Sequence, residues 1–282
     1  MPLLFSLCLA AREPLADRIG HTDPAKYRRS RSHSGSGEMA CMTLMPGSAL
    51  QTNFNFMHRC QIMPHGGVGH HYHNQMEEMF IIFGDEAQFT NGGRTSQLAG
   101  PVGAPCRMCR SHAIYNHSDR PVEFINLSVT TIKGKYDAFD LADDRVGARL
   151  EPKPPFITMR LDRKLLQPAE RYHGGEGTAQ YRRALPPEVF FTNWSYMDHL
   201  LLTPGTSEGK HRHDGVEEIY YVMSGESTVQ VNGETAAIRK GDAIPILLND
   251  VHSVRNSGAE VLELMIVGVA RQKFVLDTVE VK

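Results

Sequence analysis

Several features are scarce in this 282-residue chain, and each scarcity closes off a class of function. An excess of one charge is missing: 30 basic residues stand against 32 acidic ones, a formal net charge of −2. A nucleic-acid binder needs a basic face to neutralise phosphates, so nucleic acid is not an expected partner. Long apolar runs are missing too. None approaches the ~20 residues that cross a bilayer, so no membrane partner is expected. Residues 1–11 are apolar but lack the basic stretch that opens a secretory leader, which favours an N-terminal arm over an export signal. Cysteines are few and odd in number: Cys8, Cys41, Cys60, Cys106 and Cys109. Without framework-like spacing they read as mostly reduced thiols in a cytoplasmic protein. Long helical periodicity is absent, apart from a weak trace around residues 162–171.

What the chain does contain is a second copy of itself. His71 and His73 recur as His211 and His213, Glu77 and Glu78 as Glu217 and Glu218, and Pro105, His112 and Asn116 as Pro245, His252 and Asn256. Every pair is 140 positions apart, with no gap. The same offset matches His33, Gly35 and Gly37 with His173, Gly175 and Gly177, and Thr52, Asn53 and Met57 with Thr192, Asn193 and Met197. At about 5% usage per residue type, seven motif matches arise by chance with a probability on the order of 10⁻⁹. The chain is read as a tandem duplication.

Within each unit, short β-rich runs (79–83, 122–129, 218–223, 227–231 and 261–267) alternate with turn signals. Asn232-Gly233 between two such runs marks a tight hairpin. Many short strands at this spacing predict an all-β fold of sandwiches or barrels. The expected organisation is an N-terminal arm (1–34), a first barrel (35–150), a linker (151–174) opened by Pro152, Pro154 and Pro155, and a second barrel (175–282). The Arg-, Ser- and Gly-rich stretch 23–37 reads as a mobile part of the arm.

These motifs resemble the cupin superfamily, specifically its two-barrel members, the bicupins. The second half carries His211-x-His213, then Glu218 and Gly225, followed by Gly241, Pro245, His252 and Asn256. Asn249 or Asp250 stands where the family has glycine. The first half carries His71, His73, Glu78, Pro105, His112 and Asn116, with Gly84 one residue early. That displacement leaves Glu77 and Glu78 as alternatives, and the gap-free repeat favours Glu78. The resemblance implies two jelly-roll-like cupin β-barrels in tandem, each holding a divalent metal.

The chemistry supports that implication. His-x-His on a strand puts both imidazoles on one face, because side chains alternate with period 2. A glutamate and a third histidine from other strands then complete a set of three nitrogens and one oxygen: His71, His73, Glu78 and His112, and again His211, His213, Glu218 and His252. Such sets suit Mn, Fe, Ni, Zn or Cu, expected as two ions per chain. Four protein donors leave coordination positions open, the mark of a catalytic metal. Asn116 and Asn256 read as loop structure.

Cys106-x-x-Cys109 has neither a second pair nor a thioredoxin-like context, so it reads as structural. Of His58 and Arg59, and of Asp198 and His199, one member each faces inward, but parity does not say which. An inward Arg59 would clamp a substrate carboxylate; an inward Asp198 or His199 would serve as a base. Tyr220 shares the face of Glu218 and offers a hydroxyl where Phe80 stands in the first unit. His70 and Arg107 are candidates for holding an anionic substrate. The expected function is a metal-dependent enzyme acting on a small polar metabolite (an organic acid, sugar derivative or enol) by Lewis-acid isomerase, lyase or hydrolase chemistry. The rivals are a metal-dependent dioxygenase and a non-catalytic small-ligand-binding barrel. A homodimer is the expected assembly if chains associate.

Overall fold

Alternation along each strand decides the layers, because a strand turns successive side chains to opposite faces. In the computed structural model, which describes residues 13–281, the chain forms two β-barrels, each made of two antiparallel sheets. The apolar segment 1–11 and Cys8 lie outside the described residues.

The larger sheet of the first barrel runs in the order Arg28–Ser30, Met39–Pro46, Phe54–Ile62, Val122–Thr130, Met76–Ile82, Val102–Cys106, Met159–Arg160. Its smaller sheet runs Phe139–Asp143, Gly67–His73, Arg110–Tyr115, Glu86–Asn91, Arg94–Ala99. The second barrel repeats the plan: Phe54–Ile62 and Val122–Thr130 return as Trp194–Leu202 and Leu262–Ala270, each displaced by 140 positions. The hairpin at Asn232-Gly233 forms as expected, both residues taking positive φ (51° and 87°) between Glu226–Val231 and Glu234–Arg239.

Three apolar clusters follow from the alternation. Cys60, Ile62, Val68, Phe80, Ile82, Phe89 and Phe124 fill the first barrel. Leu200, Leu202, Tyr220, Val222, Val229 and Ile266 fill the second. The opposite faces of the two larger sheets meet each other, where Met57, Met79, Ile81, Ile125 and Leu127 pack with Met197, Ile219, Tyr221, Met265 and Val267. Strand 76–82 therefore sends its even positions into the barrel and its odd positions to the partner barrel.

Glu77 obeys that parity. Its carboxylate leaves its own barrel and accepts hydrogen bonds from the Phe191 and Thr192 amides and the Thr192 hydroxyl of the second barrel, at 2.6–3.1 Å. Glu217 reciprocates, accepting from the Thr52 amide of the first barrel at 2.7 Å. Both carboxylates are fully buried.

Three expectations need correction. Cys41 and Cys60 are joined by a disulfide between paired strands, so they are not reduced thiols; Cys106 and Cys109 are free. The two cysteines face each other across Met39–Pro46 and Phe54–Ile62, a cross-strand pairing that a 19-residue separation does not announce. Residues 23–37 are not a loose arm. Arg28–Ser30 pairs with Met39–Cys41, and His33 stacks on His71. Earlier still, Leu15 and Ile19 are buried against the second barrel and Gly20 bridges to Ala243. Residues 162–171 form a 3-10 turn at Arg163–Leu165 and a strand at Gln167–Glu170, not a helix. Met159–Arg160 and Gln167–Glu170 also extend a sheet of each barrel from the segment expected to be a linker.

Candidate metal centres

Each His-x-His strand is built around a bulge. In Gly67–His73, Val68 lies opposite Ile114 and His71 opposite His112, so three steps on one strand meet two on the other. Ser207–Arg212 repeats this, with Glu208 opposite Val254 and His211 opposite His252. A bulge of this kind shifts side-chain parity, so residues three apart share the inner face. Glycine is required there: a Cβ on Gly69 or Gly209 would lie 1.8 or 2.0 Å from the carbonyl oxygen of His33 or His173.

The structure brings together His71, His73, Glu78 and His112 in the first barrel and His211, His213, Glu218 and His252 in the second. In each set the donor atoms lie within 4.8 Å of one another, and all eight residues are buried. In the first set His112 Nε2 is 3.0 Å from His71 Nε2 and 3.1 Å from His73 Nε2, which is 3.0 Å from Glu78 Oε2. In the second set Glu218 Oε2 is 3.2 Å from both His213 Nε2 and His252 Nε2.

The fit to a cation rests on where the protons sit. His71 and His211 donate Nδ1–H to the carbonyls of Gly69 and Gly209, two residues back. His73 and His213 donate to the carbonyls of Asp137 and Asp277, and His252 to that of Asp250. Carbonyls only accept, so these five imidazoles carry a proton on Nδ1 and turn Nε2 into the cluster, where a cation can replace any proton that Nε2 holds. In the second barrel all three Nε2 atoms converge, and His213 Nε2, His252 Nε2 and Glu218 Oε2 are buried without an aligned hydrogen bond. A single added proton, shared between an imidazole and Glu218, leaves the other imidazole unanswered; a dication answers all three.

The electrostatics treat the imidazoles of a set differently. Burial pulls His71 down to about 4 and His211 to about 2, keeping both neutral. Burial also opposes charge on His213, but the Glu218 carboxylate outweighs it and raises His213 to about 9. Glu218 is held well below the ordinary carboxylate range, burial being overcome by His213 and His252.

The remaining candidates divide by parity. His58 and Asp198 face their barrel interiors; Arg59 and His199 face the seam between barrels. Arg59 pairs with Glu123, and His199 donates to Glu263 at 2.7 Å. Both line or adjoin a cavity of about 610 Å³ walled also by Phe83, Arg163 and Tyr221, away from either cluster. Neither the clamp role for Arg59 nor the base role for His199 fits this placement. Asp198 is held by two hydrogen bonds from Arg183 and one from Tyr181. Arg107 stacks over Phe191, and His70 bonds Asp143 and Ser111. Neither side chain joins the first cluster. Asn116 and Asn256 brace loops, donating to the Ile62 and Arg120 carbonyls and to those of Leu202 and Glu260. Tyr220 does reach the second site, its hydroxyl donating to Glu208 Oε2 at 3.0 Å.

Several residues that shape the centres lie outside the metal-binding motifs. Asp137 and Asp277 each receive the second ligand histidine on the backbone carbonyl and two strand-end amides on the carboxylate. Their 140-residue spacing was the available signal. His33 and His173 take left-handed backbone (φ 50° and 51°) and stack on His71 and His211 at 3.8 and 4.2 Å. Glu208 was hidden because the bulge inverts its parity.

Residues 199–268 match the Cupin domain family. An oxalate-binding protein of Thermotoga maritima is 33% identical over 94 residues, 33% of this chain and 78% of that protein. Among solved structures, the oxalate decarboxylase of Lactobacillus farciminis, as a formate complex, superposes with a TM-score of 0.64 at 16% identity, covering 93% of this chain and 88% of that one. The oxalate decarboxylase of Bacillus subtilis, studied for its Mn(II) centres, does so at 0.62 and 16%, covering 93% and 79%. At that identity the structural likeness speaks for the fold. With its duplicated motifs and paired barrels, the chain belongs to the cupin superfamily and is one of its two-barrel members, a bicupin.

Proposed function

We propose that this protein is a metal-dependent enzyme that acts on a small organic acid by lyase-type chemistry, with one divalent ion held in each barrel. The observation that carries the reading is the second cluster: three imidazoles with Nδ1–H committed to carbonyls, their Nε2 atoms gathered with one Glu218 carboxylate oxygen. His71, His73, Glu78 and His112 would hold one ion, and His211, His213, Glu218 and His252 the other. A divalent ion so held supplies Lewis acidity to a chelated carboxylate or carbonyl. The chain's own residues orient and enclose. The carbonyls of Gly69, Asp137, Gly209, Asp277 and Asp250 hold the imidazoles in one tautomer. Tyr196 donates to Glu218 Oε1 at 2.7 Å, leaving Oε2 for the cluster. The oxalate-binding relative and the oxalate decarboxylases support an organic acid as substrate, and the Mn(II) centres of the latter make manganese the first metal to test.

Elemental analysis of protein purified without added metal tests the core of this reading, with about two ions per chain expected. Protein that stays metal-free after reconstitution would overturn it. Strictly anaerobic turnover of an organic acid is expected; a strict requirement for dioxygen would replace the lyase reading with an oxidative one.

A further inference from the structure

The two clusters share their donors but not their walls. Beside the second lies a carboxyl group for which the first has no counterpart. Glu208 is 1% exposed, and its repeat partner 140 positions earlier is Val68. Tyr196 and Tyr220 of the second barrel are likewise Phe56 and Phe80 in the first. Phe80 lies flat on His112, with ring centres 4.3 Å apart. One cluster therefore sits against hydrocarbon and the other against hydroxyls and a carboxyl.

Glu208 is placed by the bulge in Ser207–Arg212, which turns it to the same inner face as His211. Tyr220 donates to its Oε2. Its Oε1 accepts no hydrogen bond among the described residues and lies 3.9 Å from His211 Nε2. A buried carboxyl with a single hydrogen bond is costly to keep and calls for another partner. Glu208, His173 and His211 also form a close group of donor atoms. His211 commits Nδ1 to Gly209, however, so its one free nitrogen serves the four-donor cluster, and Glu208 is left as a neighbour of whatever that cluster holds.

We infer that Glu208, steadied by Tyr220, contacts the organic acid held at the second centre and makes that centre selective for a 2-hydroxy acid. This rests on the function proposed above. A 2-hydroxy acid chelates through a carboxylate oxygen and the adjacent hydroxyl. Beside a bound dication Glu208 carries its charge, and that hydroxyl donates to it. An ether oxygen at the same place cannot donate, and a second carboxylate brings like charge toward an acid. The first barrel, with Val68 and Phe80 at these positions, has no such preference.

The test uses full-length protein carrying His71→Ala to silence the first centre, loaded with Mn(II). Glycolate, methoxyacetate and oxalate are titrated while the Mn(II) electron paramagnetic resonance signal is followed. Glycolate should bind roughly tenfold or more tightly than methoxyacetate, the worth of one hydrogen bond to an ionisable group. Glu208→Val should erase that ratio without lowering oxalate affinity or manganese content, and Glu208→Gln should keep most of it. Equal binding of glycolate and methoxyacetate by the unaltered second centre overturns the inference, even if Glu208→Val fails to fold. Loss of manganese in Glu208→Val also overturns it, by making Glu208 a ligand. A chain that takes up no manganese at all overturns the proposed function as well, which separates the two failures.

Discussion

Replacing Glu78 by glutamine should remove the anionic donor from the first centre and leave the second intact, so metal content should fall from about two ions per chain to about one. Glu77→Gln should do the opposite: two ions remain, and stability drops by about 1–3 kcal/mol as the amides of Phe191 and Thr192 lose a charged acceptor. Elemental analysis paired with denaturant unfolding separates the two outcomes, and a metal loss in Glu77→Gln would reverse the assignment. The second centre should also respond to pH. In metal-free protein His213 is raised to about 9, so the stability it contributes is full below its ordinary value of 6.5 and is lost as pH rises through about 9. Glu218 is depressed, so its contribution is present above its ordinary 4.5 and is lost as pH falls through its lowered value. The metal-free pair therefore stabilises the barrel most between those two ordinary values. Metal must displace the His213 proton, so apparent affinity should climb about tenfold per pH unit from roughly 6.5 toward 9 and then level off. Calorimetric titration at several pH values checks this; a flat profile over that window would exclude a protonated His213 in the metal-free state. The eight donors were legible in the sequence because each cluster needs fixed residue types at fixed strand positions, and the duplication displays the set twice. The fates of Arg59 and His199 were not legible. Parity says that neighbours on a strand part company, but only packing against the other barrel says which goes where.

At the scale of the element, the bulged His-x-His strand is the feature on which both centres depend. Gly209→Ala would drive a methyl group into the His173 carbonyl, a backbone atom with no freedom to swing aside. The expected cost is about 2–3 kcal/mol or more, together with weaker metal binding in the second barrel alone, because Gly209 also accepts the His211 proton. Thermal melts and metal content of Gly209→Ala and Gly69→Ala, each read against the other barrel, test this. Unchanged melting in both would mean that the turns at His33 and His173 yield easily. The strands and the Asn232-Gly233 hairpin follow from alternation and turn chemistry. The bulge does not: it interrupts the very alternation from which inner and outer faces are read. That is why Glu208 went unnoticed, although a glycine beside it at both repeat positions was a visible cue.

Across the whole molecule, the seam between barrels joins two different consequences of one short motif. The glutamate pair in each unit sends one carboxylate to its own metal cluster and the other to the neighbouring barrel. The amide hydrogens of Thr52, Phe191 and Thr192 thus end on carboxylates from across the seam. Parting the barrels uncovers all three at once. Their exchange with deuterated solvent is therefore a built-in gauge of how often the two halves separate. Because Glu77 and Glu217 each adjoin a metal-binding glutamate on the same strand, loading either centre should slow that exchange at the seam, letting one barrel's occupancy be read from the amides of the other.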